Sequence, residues 1–338
     1  GMLKLDVPLD LVLATAEGPY LDQIPKQVRV VDLRAGRAIN ATLPLSLYLQ
    51  QNKPSALLSH LNHANVVAIV ARELARTKTR LVVVEHDTLS VARTQLIRGK
   101  LVPTLVRWLY PRADAIVGVS KGTMRDLQVN FGIAGEKLST IYNPVVNDEL
   151  LAKAQAPLDH PWFQPEAPPV FLGVGRLSQQ KDFWTLIEAF SLLRKQRMAR
   201  LIILGEGECR TQLEATIARL GITEDVSLPG FVKNPYAYMS RARAFILSSR
   251  WEALPTVLIE AMACGCPIIS TNCPSGPEEI LESGVYGTLV PIADATALSK
   301  SMLQMLDAPK NRNLLIQRAT NFSFERAVNE YLELLGYR

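Results

Sequence analysis

Short, almost wholly apolar runs recur along this chain, each followed by a segment whose apolar residues return at helical spacing. A run with no polar face has to be buried on both sides, and a helix between two such runs brings them back side by side in parallel. Leu81-Val82-Val83-Val84 is the clearest, uncharged until it ends in Glu85-His86-Asp87. Residues 9–14, 28–33, 56–60, 115–120 and 139–144 read as its companions in the first half. The second half offers 170–176, 200–204, 226–229, 244–247, 267–270 and 287–290. Between them Pro157, Pro161, Pro165, Pro168 and Pro169 interrupt the alternation, as in a connecting stretch. The chain is therefore expected to be α/β, with two doubly wound domains and a cleft between them. The expected boundaries are a first domain at 1–150, a linker at 151–169, a second domain at 170–321 and a closing helix at 322–338 that crosses back to the first. A length of 338 residues suffices for two cores.

Composition narrows the class. With 48% hydrophobic and 20% charged residues the chain is neither disordered nor fibrous. No apolar run approaches the roughly 18 residues of a membrane span. Four cysteines, Cys209, Cys264, Cys266 and Cys273, are too few for a disulfide scaffold and point to a reducing cytoplasm. The net charge of +5 lies wholly in the first half, where residues 1–150 hold 18 Lys/Arg against 13 Asp/Glu. Arg93, Arg98, Lys100, Arg107 and Arg112 stand in a segment without acids, interleaved with Leu101, Val102, Leu105, Val106, Trp108, Leu109 and Tyr110. Such a segment is either a core helix with a solvated face or a helix that docks on the inner face of a membrane. Nothing in the pattern suggests nucleic acid.

The densest chemistry lies at residues 250–265. Glu252 and Glu260 stand eight positions apart, and Pro255 between them fits only the first position of a helix. Glu252 then lies in a loop and Glu260 about one and a half turns into the helix, at a rise of about 1.5 Å per residue. Helix-start amides at Thr256 and Val257 favour an anion, so the stretch offers two hydroxyl acceptors around a phosphate cradle. That is what a sugar nucleotide requires, although two solvated glutamates on an ordinary helix would read the same. Arg176 and Lys181 follow a strand end five residues apart, fit either to hold a diphosphate or to be ordinary surface cations. Gly205-Glu206-Gly207 also follows a strand and would allow close backbone approach to a ligand. His86 ends a buried strand, where a histidine is either structural or catalytic. Neither a Walker A loop nor a complete Gly-x-Gly-x-x-Gly is present, which argues against a kinase or a dehydrogenase.

Taken in order, Gly-Arg-Leu-x-x-x-Lys at 175–181, Gly-Glu-Gly at 205–207, Gly-Phe-Val-Lys-Asn-Pro at 230–235 and Glu-x7-Glu at 252–260 form a recognisable set. So does the tail from Cys264-Gly265-Cys266-Pro267 to Cys273-Pro274-Ser275-Gly276-Pro277-Glu278-Glu279. The chain resembles the retaining glycosyltransferases of GT-B architecture, family 4, in the branch that builds bacterial polysaccharides and glycolipids. The resemblance implies transfer of a hexose or N-acetylhexosamine from a nucleotide sugar to a glycan or lipid-linked acceptor. It implies Arg176 and Lys181 on the donor diphosphate, and Leu254, Pro255, Thr256 and Val257 around its distal phosphate. Glu260 would bind the ribose, the backbone near Phe231 and Val232 the base, Glu206 the donor, and Glu252 with His86 the transferred sugar. No metal or other cofactor is implied, and a UDP-sugar is preferred over a GDP-sugar. The protein would be cytoplasmic and peripheral on the membrane's inner face.

Members of the family open with a strand and a Gly-rich loop ahead of the strand at 9–14. Only residues 1–8 precede that strand here, so the first βα unit of the N-terminal domain is expected to be missing and its sheet to carry an exposed edge. A second reading follows: a catalytically impaired protein that binds nucleotide sugars and lacks the N-terminal Gly-rich loop.

Overall fold

A computed structural model describes residues 1–18, 21–90, 102–309 and 311–337. The chain divides into two compact units, Gly1–Tyr142 with Phe324–Arg338, and Asn143–Ser323. The described strands within sheets all pair in parallel, as apolar runs joined by helices require.

In the first unit the strands are β1 (Asp10–Leu13), β2 (Arg29–Asp32), β3 (Ala56–His60), β4 (Arg80–Glu85), β5 (Ala115–Gly118) and β6 (Leu138–Thr140). They form two sheets, β1-β2 and β3-β4-β5-β6. The expected single sheet is thus divided. Among the described residues β1 pairs with β2 alone and β3 with β4 alone, so both β1 and β3 are sheet edges. Leu81 to Val84 are fully buried on both faces of β4, whereas β1 and β2 stay partly open, with Val12, Val31 and Leu33 packed on the same core. The last helix, Phe324–Leu335, closes this unit; Arg80 Nε donates to the Leu334 carbonyl and Tyr331 is buried.

The second unit has one six-stranded sheet, β7 (Val170–Val174), β8 (Arg200–Leu204), β9 (Val226–Gly230), β10 (Ala244–Leu247), β11 (Ile268–Thr271) and β12 (Thr288–Val290), ordered β12-β11-β10-β7-β8-β9. The order runs outward in both directions from β7 and β10, which is the doubly wound pattern with its switch point between those two strands. Phe171, Leu186, Phe190, Leu201, Ile203 and Ile246 fill its core, each worth about 1.5–3 kcal/mol of burial.

The stretch 151–169 differs from a free linker. Helix Asp148–Gln155 is capped by Asn147, whose side chain accepts from Leu150 N–H at 2.8 Å. The Lys153, Ala154 and Ala156 carbonyls accept from Asn234, Ser240 and Arg241. Prolines there shape a packed turn, with the His160 ring edge-on to Trp162, Phe163 and Tyr238.

Of the basic segment, Arg93, Arg98 and Lys100 lie outside the described residues. Helix Val102–Leu109 buries Val106 and exposes Leu105 and Trp108, while Arg112 pairs with Glu73. Among the described residues no helix is long and apolar enough to cross a membrane. All four cysteines are buried and free of disulfides.

Candidate functional site

The switch point gathers the predicted residues of the second unit. β7 leads into the loop of Arg176 and Lys181, and its neighbour β10 leads into the loop of Glu252. Parallel strands put their carboxyl ends on one side, so the two loops meet there. Arg250 N–H donates to the Gln180 carbonyl at 2.8 Å, Gln180 Nε2 to the Trp251 carbonyl at 3.0 Å, and Ser248 Oγ to the Lys181 carbonyl at 2.7 Å. Asp182, buried at the start of helix Phe183–Arg194, accepts from Arg250 Nε at 3.0 Å and from Thr185 Oγ1 at 2.9 Å.

Within this brace Lys181 Nζ donates to Glu252 Oε1 at 2.5 Å, and Ser249 Oγ donates to the same oxygen at 2.6 Å. Glu252 is 9% exposed and Ser249 is sealed from solvent. The Lys181 stem lies against Gly175, where an added Cβ would come within 3.3–3.4 Å of three of its carbons. A second loop holds Glu252 by its backbone: Glu252 N–H donates to the Pro274 carbonyl and Ser275 N–H to the Glu252 carbonyl. Gly276, at φ +97°, approaches Pro255 and Ala253 so closely that a Cβ would collide with both. The Cys-Pro-Ser-Gly-Pro motif therefore clamps the loop that carries Glu252.

The helix after Glu252 is Thr256–Ala263, with Pro255 as its N-cap, one residue later than predicted. Proline has φ −70° there but extended ψ, so it leads into the helix rather than joining it. No side chain caps this helix, which leaves its first amides to a ligand or water. Leu254 and Pro255 are buried and contribute shape and backbone only. Glu260 lies on the helix with its carboxyl pushed up by burial. Tyr236, absent from the sequence reading, is its neighbour; burial first and the Glu260 charge second push that phenol up to about 12.

Other predicted residues have protein partners. Arg176, 74% exposed, donates to Glu208 at 3.1 Å. Glu206 is held by Arg210 Nε and Nη2, each at 2.8 Å, which pull its carboxyl down. Gly205 and Gly207 lie tight against neighbouring backbone. A Cβ on Gly205 would lie 2.0 Å from the Gly175 carbonyl oxygen, and one on Gly207 2.3 Å from that of Leu177. Their bareness admits the adjoining backbone, zipped by Leu177 N–H to the Glu206 carbonyl at 2.9 Å. Phe231 is 78% exposed and Val232 half-buried at the end of β9.

In the first unit His86 follows β4 and meets His60 at the end of β3, with His60 Nδ1 and His86 Nε2 3.0 Å apart. Desolvation pulls His86 down, opposed by Asp87; desolvation first and His86 second pull His60 down to about 4. His60 as a whole stays exposed, so the crowding lies on the side that meets His86 and Tyr331. Beneath them Glu85 is fully buried, accepts from Tyr110 at 2.7 Å and from the His86 and Asp87 amides, yet burial pushes it up to about 7. The hollows of about 460 and 590 Å³ beside Gln50 and Arg76 lie toward the amino ends of β3 and β4, away from these groups.

Ser249, Gln180, Asp182, His60 and Tyr236 were not legible as site residues. Gln180, Asp182, His60 and Tyr236 matter through partners distant in sequence, and Ser249 through Glu252 on the same loop.

Residues 4–149 match the family described as Glycosyltransferase Family 4, and residues 158–322 match Glycosyl transferases group 1. A relative from Campylobacter jejuni is the N-acetylgalactosamine-N,N'-diacetylbacillosaminyl-diphospho-undecaprenol 4-alpha-N-acetylgalactosaminyltransferase. It is 35% identical over 260 residues, covering 77% of this chain and 69% of the relative. Among solved structures, the lipopolysaccharide outer core galactosyltransferase WaaB in its apo form matches with TM-score 0.73 and 21% identity, covering 92% of this chain and 84% of that one. HepE of Anabaena in complex with UDP-glucose matches with TM-score 0.76 and 21% identity, covering 97% and 92%. Parallel sheets in both units, with the doubly wound order of the second, are the architecture of GT-B glycosyltransferases. The chain belongs to glycosyltransferase family 4 and is a glycosyltransferase.

Proposed function

We propose that this glycosyltransferase moves a hexose or N-acetylhexosamine from a UDP-sugar to a glycan or lipid-linked acceptor, with retention at the anomeric carbon. The observation that carries the reading is the buried Lys181–Glu252 pair at the β7/β10 switch point, beside an uncapped helix start. A charged pair so little exposed adds little to stability by itself, which favours a functional use for it. Lys181 and Arg176 would meet the diphosphate, the Thr256 and Val257 amides its distal phosphate, Glu260 the ribose, and Phe231 with Val232 the base. Glu252 would accept from a sugar hydroxyl while its other oxygen holds Lys181, linking recognition of sugar and phosphate. In the first unit, His86 is the group assigned to the reacting sugar. The Campylobacter relative's lipid diphosphate acceptor and the UDP-glucose bound by HepE support the substrate classes. The exposed Leu105 and Trp108 beside Arg107 support contact with a membrane surface that carries such an acceptor.

Cations and amides neutralise the leaving diphosphate in this reading, without a metal. Transfer from UDP-sugars to undecaprenyl-diphosphate-linked acceptors is the test, with calorimetric titration of UDP beside it. Glu260→Ala is expected to weaken UDP binding about tenfold or more through loss of charge-assisted bonds, and EDTA to leave the rate unchanged. Binding of UDP with no turnover on any acceptor would favour the impaired binding protein instead.

A further inference from the structure

Two imidazoles whose nitrogens lie 3.0 Å apart share one hydrogen, so each ring's tautomer is set by the other. β3 and β4 impose this contact: His60 pairs with Val84, and His86 follows two residues on along the same edge. The Tyr331 ring, 6.5 Å from His60, backs the pair, and Asp87 stands beside His86. We infer that His60 is a positioning residue for His86: its Nδ1 accepts from His86 Nε2–H, which leaves His86 Nδ1 as an acceptor for a sugar hydroxyl. The asymmetry follows from the surroundings. The Asp87 carboxylate favours hydrogen on His86, whereas His60 faces a phenol and the other imidazole and keeps its own hydrogen on Nε2. Glu85 turns its Oε1 to the His86 and Asp87 amides and its Oε2 to Tyr110, so it bears on the backbone rather than on the shared hydrogen.

The catalytic consequence rests on the role proposed for His86; the tautomer lock does not. The chain has four histidines, so its ¹⁵N-histidine spectra resolve each ring. Both His60 and His86 are expected as Nε2–H tautomers at pH 7.5. In His60→Leu, His86 should revert to the mixed tautomers of a free imidazole, and kcat should fall about fivefold to tenfold, the worth of one hydrogen bond, with the donor KM within twofold. His60→Asn, which restores an acceptor oxygen, should recover most of kcat and guards against a folding defect in the leucine variant. Mixed tautomers in the wild type, or a His86 tautomer unchanged in His60→Leu, would overturn the inference. Full activity in His86→Ala with the lock intact would instead overturn the role of His86 and the kinetic consequence with it.

Discussion

The two units solve the same problem with different degrees of support. In the second, the candidate residues hang from β7 and β10, central strands of a continuous six-stranded sheet, and loops from three strand ends brace one another. In the first, the histidine pair hangs from β3 and β4, and β3 is an edge of a four-stranded sheet. A central position gives each loop neighbours on both sides, so a charged pair can be buried and still be satisfied. At an edge one side is missing, and the groups there are neutral rings over a single buried carboxyl. Cross-bracing, more than residue type, separates a site that tolerates buried charge from one that avoids it.

The largest effect should come from breaking the braced side. Lys181→Ala leaves the Glu252 carboxylate buried without its cation, an expected loss of about 3–5 kcal/mol in urea unfolding, with transfer falling at least a hundredfold. The double variant Lys181→Met/Glu252→Gln should regain most of the stability and none of the activity; a double variant as unstable as the single one would break the account of bracing. On the edge side the expected sign is reversed. Glu85 is raised on folding from 4.5 to about 7, so its contribution is full below the unfolded value and is lost as pH rises through 7, about 3 kcal/mol in all. Glu85→Gln should therefore flatten the stability profile between pH 4.5 and 8 and leave the variant the more stable at the alkaline end. A smaller effect sharpens the contrast. Ser249→Ala removes one of two donors to Glu252 Oε1 and should cost about 1.5–3 kcal/mol, with donor KM rising more than kcat falls.

Much of this was open to reading from the residues. The apolar runs at 81–84, 201–204 and 244–247 are strands because nothing polar in them could face water, and Ser120 caps helix Lys121–Phe131 as its type and position suggest. The order of motifs identified the family and put Glu252 and Glu260 on a loop and a helix. At Gly205 and Gly207 a sequence shows that a residue lacks a side chain but not what occupies the vacated space, which here is the backbone of Gly175 and Leu177. The division of the first unit's strands into two sheets, and the packing of 151–169, likewise depend on which surfaces meet.

Period, polarity and motif spacing thus specified the α/β class, the parallel strands and the stretch that carries the chemistry, since each is a property of neighbours along the chain. Tertiary structure alone decided that Lys181 grips Glu252 and that His60 faces His86. Lys181 and Glu252 stand 71 residues apart and His60 and His86 stand 26 apart, and only the pairing of β7 with β10 and of β3 with β4 brings them within hydrogen-bonding reach.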